Sequence, residues 1–327
     1  MNTSLLHLLD RLGGQRVLVV ADLYLDRYIF GTPSRISREA PIMVLDEDRQ
    51  EDRLGGGAAP ALQLAALGYD VAVAGVVGDD EAGRSVVALL EAAGIDPNGV
   101  LTDPSRPTTT KMRVVAEGFF LFPQQVVRID RQQRAAVSNE VTTALSTAVS
   151  NAQPAAILIS DYRSGVVTDA LVNAVRAAQG EHGLLTTVDS QGELEKFGGF
   201  DLVKCNQAEA ETVLGHPLGD RANRESAFST LRAKIGARCL VVTRGGEGAS
   251  LASIDGYDET PASNRSEIFD VTGAGDTVVA IMTAARLAGA TPLDAAMLAQ
   301  AAAGVVVRKW GNQQATREEI AAELRRS

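Results

Sequence analysis

The chain is poor in cysteine, in aromatic residues and in positive charge. Of its 327 residues only Cys205 and Cys239 are cysteines. Both stand within or beside apolar, strand-like runs, so buried free thiols in a reducing compartment are expected rather than a disulfide framework. A net charge of −10 without any run of clustered Lys or Arg excludes a phosphate-tracking stripe, and with it a nucleic-acid binder or a basic membrane-surface protein. An anionic substrate would need a local basic pocket. No uninterrupted apolar stretch is long enough to span a bilayer. The opening "MNTSLLHLLDRLGG" reads as a short amphipathic helix without the apolar core and small-residue cleavage site of a signal peptide, so a cytoplasmic location is expected. There is no internal repeat, low-complexity tract or flexible linker.

What is present is a balance of 45% hydrophobic and 22% charged residues with abundant Gly and Ala, the composition of a soluble α/β enzyme with a sizeable core. "QRVLVVAD" (15 to 22) is a continuous apolar run of the kind buried on both faces of a parallel sheet, followed by "VAVAGVVG", "AAILISDY", "GLLTTVDS", "DLVKCN" and "CLVVTRGG". Helical stretches such as "AGRSVVALLEAAG" and "TDALVNAVRAAQG" lie between them, most ending at a glycine. Strand alternating with helix predicts an α/β fold: one domain over 1–327, a mostly parallel sheet with helices on both faces. Residues 27–54 and 107–131 break that rhythm with short β-like runs and Pro and Gly punctuation. Together they predict a small antiparallel β lid, beside the strand ends where open α/β sheets bind ligands. A pair of ornamental surface hairpins is the plainer alternative.

The stretch "DVTGAGDTVVA" (270 to 280) carries the chemistry. The apolar, alanine-rich run that follows predicts a helix from near Gly275 to Gly289. Its exposed N–H groups and dipole, with the small residues Gly273, Ala274 and Gly275, would form an anion hole. Asp276 beside it could accept the proton of an attacking hydroxyl. In phosphoryl transfer, positioning and charge neutralisation do most of the catalysis, so this is a sufficient minimum. On local chemistry alone, a tight turn with Asp276 as a helix cap serves equally well. A dinucleotide fingerprint would need a glycine where Val278 stands, and no P-loop sequence occurs anywhere.

"DVTGAGDT" resembles the D-[TVS]-[TS]-G-A-G-D signature of the ribokinase-like, or PfkB, family of carbohydrate kinases, and the resemblance runs along essentially the whole chain. "DLYLDRYIFGTPSRISREAPIMVL", "RLGGGAA", "RPTTTKMRV", "VVRIDR", "SDY" and "AAAGVVVRKWG" are similar to the branch that phosphorylates heptose 7-phosphates. The resemblance implies a ribokinase-like fold and Asp276 as catalytic base, with Gly273, Ala274 and Gly275 holding the γ-phosphate. It also implies that Asn206 and Glu209 of "NQAE" organise Mg²⁺ and the ATP phosphates; alternatively these two residues cap a helix. Thr243, Arg244, Gly245 and Gly248 of "VVTRGGEG" would lie near the nucleotide. Asp270 and Thr272 match positions that help hold a monovalent cation, K⁺ being the candidate.

For the sugar phosphate the resemblance points to Asp26, to Asp22 and Asp161, and to Gly55 and Gly56 for close backbone approach. Lys111, Arg113 and Arg128 on or near the lid are the candidate cations for its phosphate, with plain surface solvation the alternative for each. A homodimer through the lid is implied, since strand edges invite pairing. Several positions depart from the family pattern. Ala59 followed by Pro60 replaces a sugar-binding asparagine, Ser164 and Gln191 replace two lysines, Gln300 replaces an asparagine, and Arg163 stands next to the first missing lysine. His7, His182 and His216 form no H-x-G-H, so the adenylyltransferase half fused to some relatives is not expected. The expected reaction is ATP-dependent phosphorylation of a heptose 7-phosphate at its anomeric hydroxyl; the alternative is a kinase of the same family for another sugar, sugar phosphate or nucleoside.

Overall fold

The apolar run after Gln15 forms β1 (Arg16–Ala21), buried at every position but the first. It lies near the middle of the large sheet because it can be covered from both sides. The structure, a computed structural model, describes residues 2–118, 123–264 and 269–326. After α1 (Asn2–Asp10) and β1, the chain runs through β2 (Leu23–Ile36), β3 (Met43–Gly56), α2 (Ala59–Ala66), β4 (Asp70–Val77), α3 (Glu81–Ala92) and β5 (Asp96–Thr102). Next come β6 (Thr109–Ala116), β7 (Gln124–Arg131), α4 (Asn139–Asn151), β8 (Ala156–Asp161), α5 (Asp169–His182) and β9 (Leu185–Ser190). Then β10 (Leu202–Asn206), α6 (Gln207–Leu214), α7 (Arg221–Ile235), β11 (Leu240–Thr243), β12 (Ala249–Ser253) and β13 (Gly256–Thr260) follow. Three helices close the chain: α8 (Ala274–Leu287), α9 (Pro292–Val306) and α10 (Arg317–Arg326).

The large sheet has the order β13-β12-β11-β10-β9-β8-β1-β4-β5 and is parallel from β11 to β5, with β12 and β13 added antiparallel at one edge. From β1 the chain first extends the sheet outward through β4 and β5, then returns to build the other half from β8. The boundary between β1 and β8 is therefore the topological switch point, where open α/β sheets leave a crevice at the carboxyl ends of their strands. One helical layer, containing α2, α8, α9 and α10, covers one face, and α4, α5 and α7 cover the other.

Helix α8 is the most deeply placed of these. Val278, Val279, Ile281 and Met282 are all buried in it, and each such burial contributes about 1.5–3 kcal/mol. A helix held this firmly fixes the position of its N-terminus.

The two irregular segments form a four-stranded sheet, β3-β2-β6-β7, as expected for the lid, with residues 119–122 of the second segment lying outside the described residues. Each segment is an antiparallel hairpin, and the hairpins join through a parallel pairing of β2 with β6 from Tyr24↔Thr109 to Gly31↔Ala116. The pairing is parallel because both strands leave the large sheet in the same direction. Tyr28, Phe30 and Val115 are buried against Trp310 from the loop after α9, which anchors the lid to the body. Among the described residues no helix is long and apolar enough to cross a membrane.

Candidate active site

Helix α8 begins where the sequence predicts, with Gly273 at its N-cap in the left-handed region at φ 78°. A β-carbon there would lie 2.3 Å from Asn312 Oδ1, so the turn requires glycine for conformation and for space. The carbonyl of Val271 accepts from Ala274 N–H. The N–H groups of Gly275 and Asp276, in the first turn, have no intrahelical acceptor. Asp276 is buried, and Tyr162 Oη donates to its Oδ1 and Oδ2 at 3.0 and 2.9 Å. Burial, and then the charge of Asp189, push the Asp276 carboxyl up to about 7, against the opposing pull of Lys204, Tyr162 and Lys111. A carboxylate poised near neutrality is suited to general-base chemistry.

Behind the helix terminus lies a buried ion pair. Lys204 from β10 donates to Asp189 Oδ2 from β9 at 2.6 Å. Burial works against the lysine's charge, yet the aspartate holds its pKa above the ordinary value. A β-carbon on Gly275 would stand 2.8 Å from Lys204 Nζ, so the glycine leaves the space that the ammonium occupies. At the end of β10, Asn206 and Glu209 form a reciprocal capping box on α6: Asn206 Oδ1 accepts from Glu209 N–H at 3.0 Å, and Glu209 Oε2 accepts from Asn206 N–H at 2.7 Å. The helix-cap alternative is thus realised, while Glu209 still faces the site. Burial, and then the charge of Asp189, hold its carboxyl above the usual range, against the opposing pull of the Asn206 N–H and Lys204. The charges of Asp189, and then of Asp276 and Glu209, favour the ammonium form of Lys204. Among the described residues no three His, Cys, Asp or Glu side chains are grouped closely enough to hold a metal ion.

A cavity of about 160 Å³ opens beside the start of α8, lined by Thr243, Gly245 and Gly248 and by Val271, Val278, Ala303, Gly304 and Val307. Its apolar wall suits a flat heterocycle, and its far end reaches Ala274 and Gly275. Gln300 lines this cavity as well. Gly248 is dictated by packing, because a β-carbon would fall 2.0 Å from the Thr260 carbonyl oxygen. Arg244 turns away from the cavity: its guanidinium is buried against Glu247 at 2.5 Å and Glu259 at 3.9 Å.

On the other side of Asp276, at the switch point, the lid meets the body. Lys111 Nζ stands 4.4 Å from the ring centre of Tyr24 and 5.3 Å from that of Tyr162. Among the described residues it has no carboxylate within ion-pair distance, and burial lowers its pKa. Arg113 does have one: its Nη1 lies 2.7 Å from Asp26 Oδ1, both side chains being almost wholly buried. Arg128 pairs with Asp130 at 2.8 Å on the exposed face of β7.

Asp22 lies immediately after β1, at the switch point. It is fully buried, and its Oδ2 accepts from the N–H groups of Tyr162 and Ser164 at 2.8 and 3.0 Å, ordering the loop after β8. Burial raises its carboxyl to about 6. Asp161 is likewise internal, accepting from Arg163 N–H and Ser190 Oγ and pairing with Lys196 at 3.3 Å. The space left by Gly55 is filled by the Asp26 carboxylate, 2.3 Å from a hypothetical β-carbon, and that of Gly56 by the Tyr24 ring at 2.5 Å. Ser164 bonds Tyr24 Oη at 2.6 Å, and Arg163 pairs with Glu193 at 2.7 Å on the rim, so its side chain does not take the missing lysine's place. Asp270 joins two loops: Oδ1 accepts from Thr272 N–H and Oγ1, and Oδ2 from Gly311 N–H.

Sequence reasoning missed Tyr162, Asp189, Lys204 and Asn312. The signals for the buried pair were charged residues inside otherwise apolar strands, "TVDS" and "LVKCN", where only pairing tolerates burial. Tyr162 and Asn312 gave no local signal, because their partners lie 114 residues away at Asp276 and across the fold at Gly273.

Comparison with known proteins gives the family and the fold. A family model described as "pfkB family carbohydrate kinase" matches residues 17–319. The curated bifunctional protein HldE of Geobacter metallireducens is 41% identical over 308 residues, 93% of this chain and 61% of that protein. HldE of Hyphomonas neptunium is 36% identical over 99% of this chain and 66% of its own length. The chain thus spans about three-fifths to two-thirds of these relatives. Among solved structures, Escherichia coli phosphofructokinase-2 in complex with potassium aligns with a TM-score of 0.78 at 20% identity, covering 96% of this chain and 99% of that one. Arabidopsis thaliana ribokinase complexed with ribose and ATP aligns with 0.72 at 19% identity, covering 96% and 100%. At such identities these two report the shared fold.

Proposed function

The chain belongs to the pfkB family of carbohydrate kinases, and from that premise we propose that it transfers the γ-phosphoryl group of ATP to the anomeric hydroxyl of a heptose 7-phosphate. The observation that carries the reading is Asp276, buried, poised near 7 and fixed in the first turn of α8. In this mechanism Asp276 accepts the proton of the acceptor hydroxyl as its oxygen attacks the phosphorus. The N–H groups at the start of α8 would face the charge that develops on the transferred group, without reorganising during the reaction. The cavity from Thr243 to Val307 takes the nucleotide. Asn206 and Glu209 would hold Mg²⁺ through water, and the ion would neutralise phosphate charge. Asp270 and Thr272 are the candidate pair for K⁺.

The acceptor would lie between Asp276 and the lid, with Asp26 toward its hydroxyls. Lys111 is the cation best placed for its phosphate, since Arg113 and Arg128 are already matched by Asp26 and Asp130. A single domain over the whole chain is consistent with the continuous large sheet. Exposed Ile36, Ile42, Val127 and Ile129 on the lid support a homodimer formed through that sheet. Sedimentation of wild type and Val127→Asp/Ile129→Asp would show a dimer becoming a monomer.

The second reading, a kinase of the same family for another sugar, sugar phosphate or nucleoside, is favoured by Ser164 engaging Tyr24 and by Arg163 engaging Glu193, which leave the first of the two missing lysines without a substitute. ADP release with Mg-ATP should be measured against manno- and altro-heptose 7-phosphates, fructose 6-phosphate and ribose, with Asp276→Asn as the blank. Turnover of a heptose 7-phosphate to a bisphosphate visible by ³¹P NMR is expected. Turnover of only the hexose phosphate or ribose would move the assignment to the second reading.

A further inference from the structure

Tyr162 is held through its backbone and its ring and presents its hydroxyl to Asp276. Its backbone N–H is held by Asp22 at 2.8 Å. Its ring lies 5.2 Å from that of Tyr24 at 59°, with the Lys111 ammonium over both. The hydroxyl donates to both carboxylate oxygens of Asp276 at nearly equal distance.

We propose that Tyr162 is the positioning residue of the catalytic base, its hydroxyl fixing the plane of the Asp276 carboxylate and stabilising its ionised form. A donor shared between two oxygens defines the orientation of the group and leaves each oxygen able to accept a further proton donor, which is what an incoming acceptor hydroxyl requires. The phenol remains protonated throughout, because burial and the adjacent Asp276 charge hold its pKa well above the ordinary tyrosine value. Every charged group facing Asp276 is identifiable: Asp189 from β9 disfavours ionisation, while Lys204 from β10 and Lys111 from β6 favour it. Tyr162, from the loop after β8, adds the direct hydrogen bond. The inference rests on Asp276 being the base.

Tyr162→Phe tests it, since the ring keeps its packing against Tyr24 and Lys111 and only the hydroxyl is lost. The kcat should fall about tenfold or more with KM for ATP unchanged. The acid limb of the kcat profile should move up by about one pH unit, the scale of one hydrogen bond to a charged group. A readout independent of any acceptor is the ¹³C carboxyl resonance of aspartate-labelled protein that Asp276→Asn lacks; its midpoint should rise in Tyr162→Phe by the same amount. An unchanged midpoint together with an unchanged kcat overturns the proposal. If wild type turns over no acceptor, the functional reading fails, while the carboxyl titration still decides whether Tyr162 holds Asp276.

Discussion

The ammonium of Lys204 rests 2.6 Å from Asp189 Oδ2, with side-chain exposures of only 6% and 15%, directly behind Gly275. Removing one partner of such a pair strands the other. Lys204→Met should therefore cost about 3–5 kcal/mol of stability, and the double change Lys204→Met/Asp189→Leu less than that. Chemical denaturation of the three proteins checks this; equal losses in the single and double variants would contradict the pairing.

The buried carboxyl of Asp276 gives a pH prediction of definite sign. Its pKa is raised from 3.8 to about 7 in the folded protein. The neutral form is thus the one favoured by folding, so its contribution is fully present below about pH 4 and is lost as pH rises through about 7. Asp276→Asn should be more stable than wild type at pH 8, by up to about 4 kcal/mol, with the difference vanishing near pH 4. Activity runs the other way: kcat should rise as pH passes about 7 and Asp276 ionises. Denaturation of both proteins at the two pH values, beside a kcat profile, tests both halves.

At Gly273 the conformation and the neighbour act separately. Gly273→Ala should lose about 1–2 kcal/mol from the left-handed backbone and more from the clash with Asn312 Oδ1. Adding Asn312→Ala should return the clash contribution and leave the backbone cost. Thermal melts of the single and double variants separate the two, and no recovery in the double variant would show that the contact with Asn312 is unimportant.

Lys111 and Arg113 are alternate neighbours on β6, yet their substitutions should differ in kind. Lys111→Met leaves no carboxylate unpaired, so the melt should be nearly unchanged while KM for the sugar phosphate rises tenfold or more, about 1.4 kcal/mol. Arg113→Met strands the buried Asp26 and should cost about 3–5 kcal/mol of stability. Paired melts and KM determinations distinguish them.

The sequence by itself determined the layer architecture. Continuous apolar runs such as 15–22 can only be central parallel strands, and glycine-terminated helical stretches such as 169–183 can only cover them. It also determined where the phosphate end of the site lies, because "DVTGAGDT" followed by an apolar alanine-rich run encodes a helix start with small residues and one acid. These are local properties, carried by neighbours in the chain.

What surrounds Asp276 was decided by tertiary structure alone. Tyr162 comes from the loop after β8, Lys204 from β10, Asp189 from β9 and Lys111 from the lid, and strand order alone brings their side chains to one edge. Tertiary structure also supplied the partners of residues that resemblance pointed toward the substrate. Asp22 and Asp161 became internal supports of the loop after β8, Arg244 turned toward Glu247, and the room left by Gly55 and Gly56 was filled by Asp26 and Tyr24. The physical reason is the same in each case: a charge or a missing side chain acquires its role from the partner that burial brings to it, and that partner lies far away in the chain.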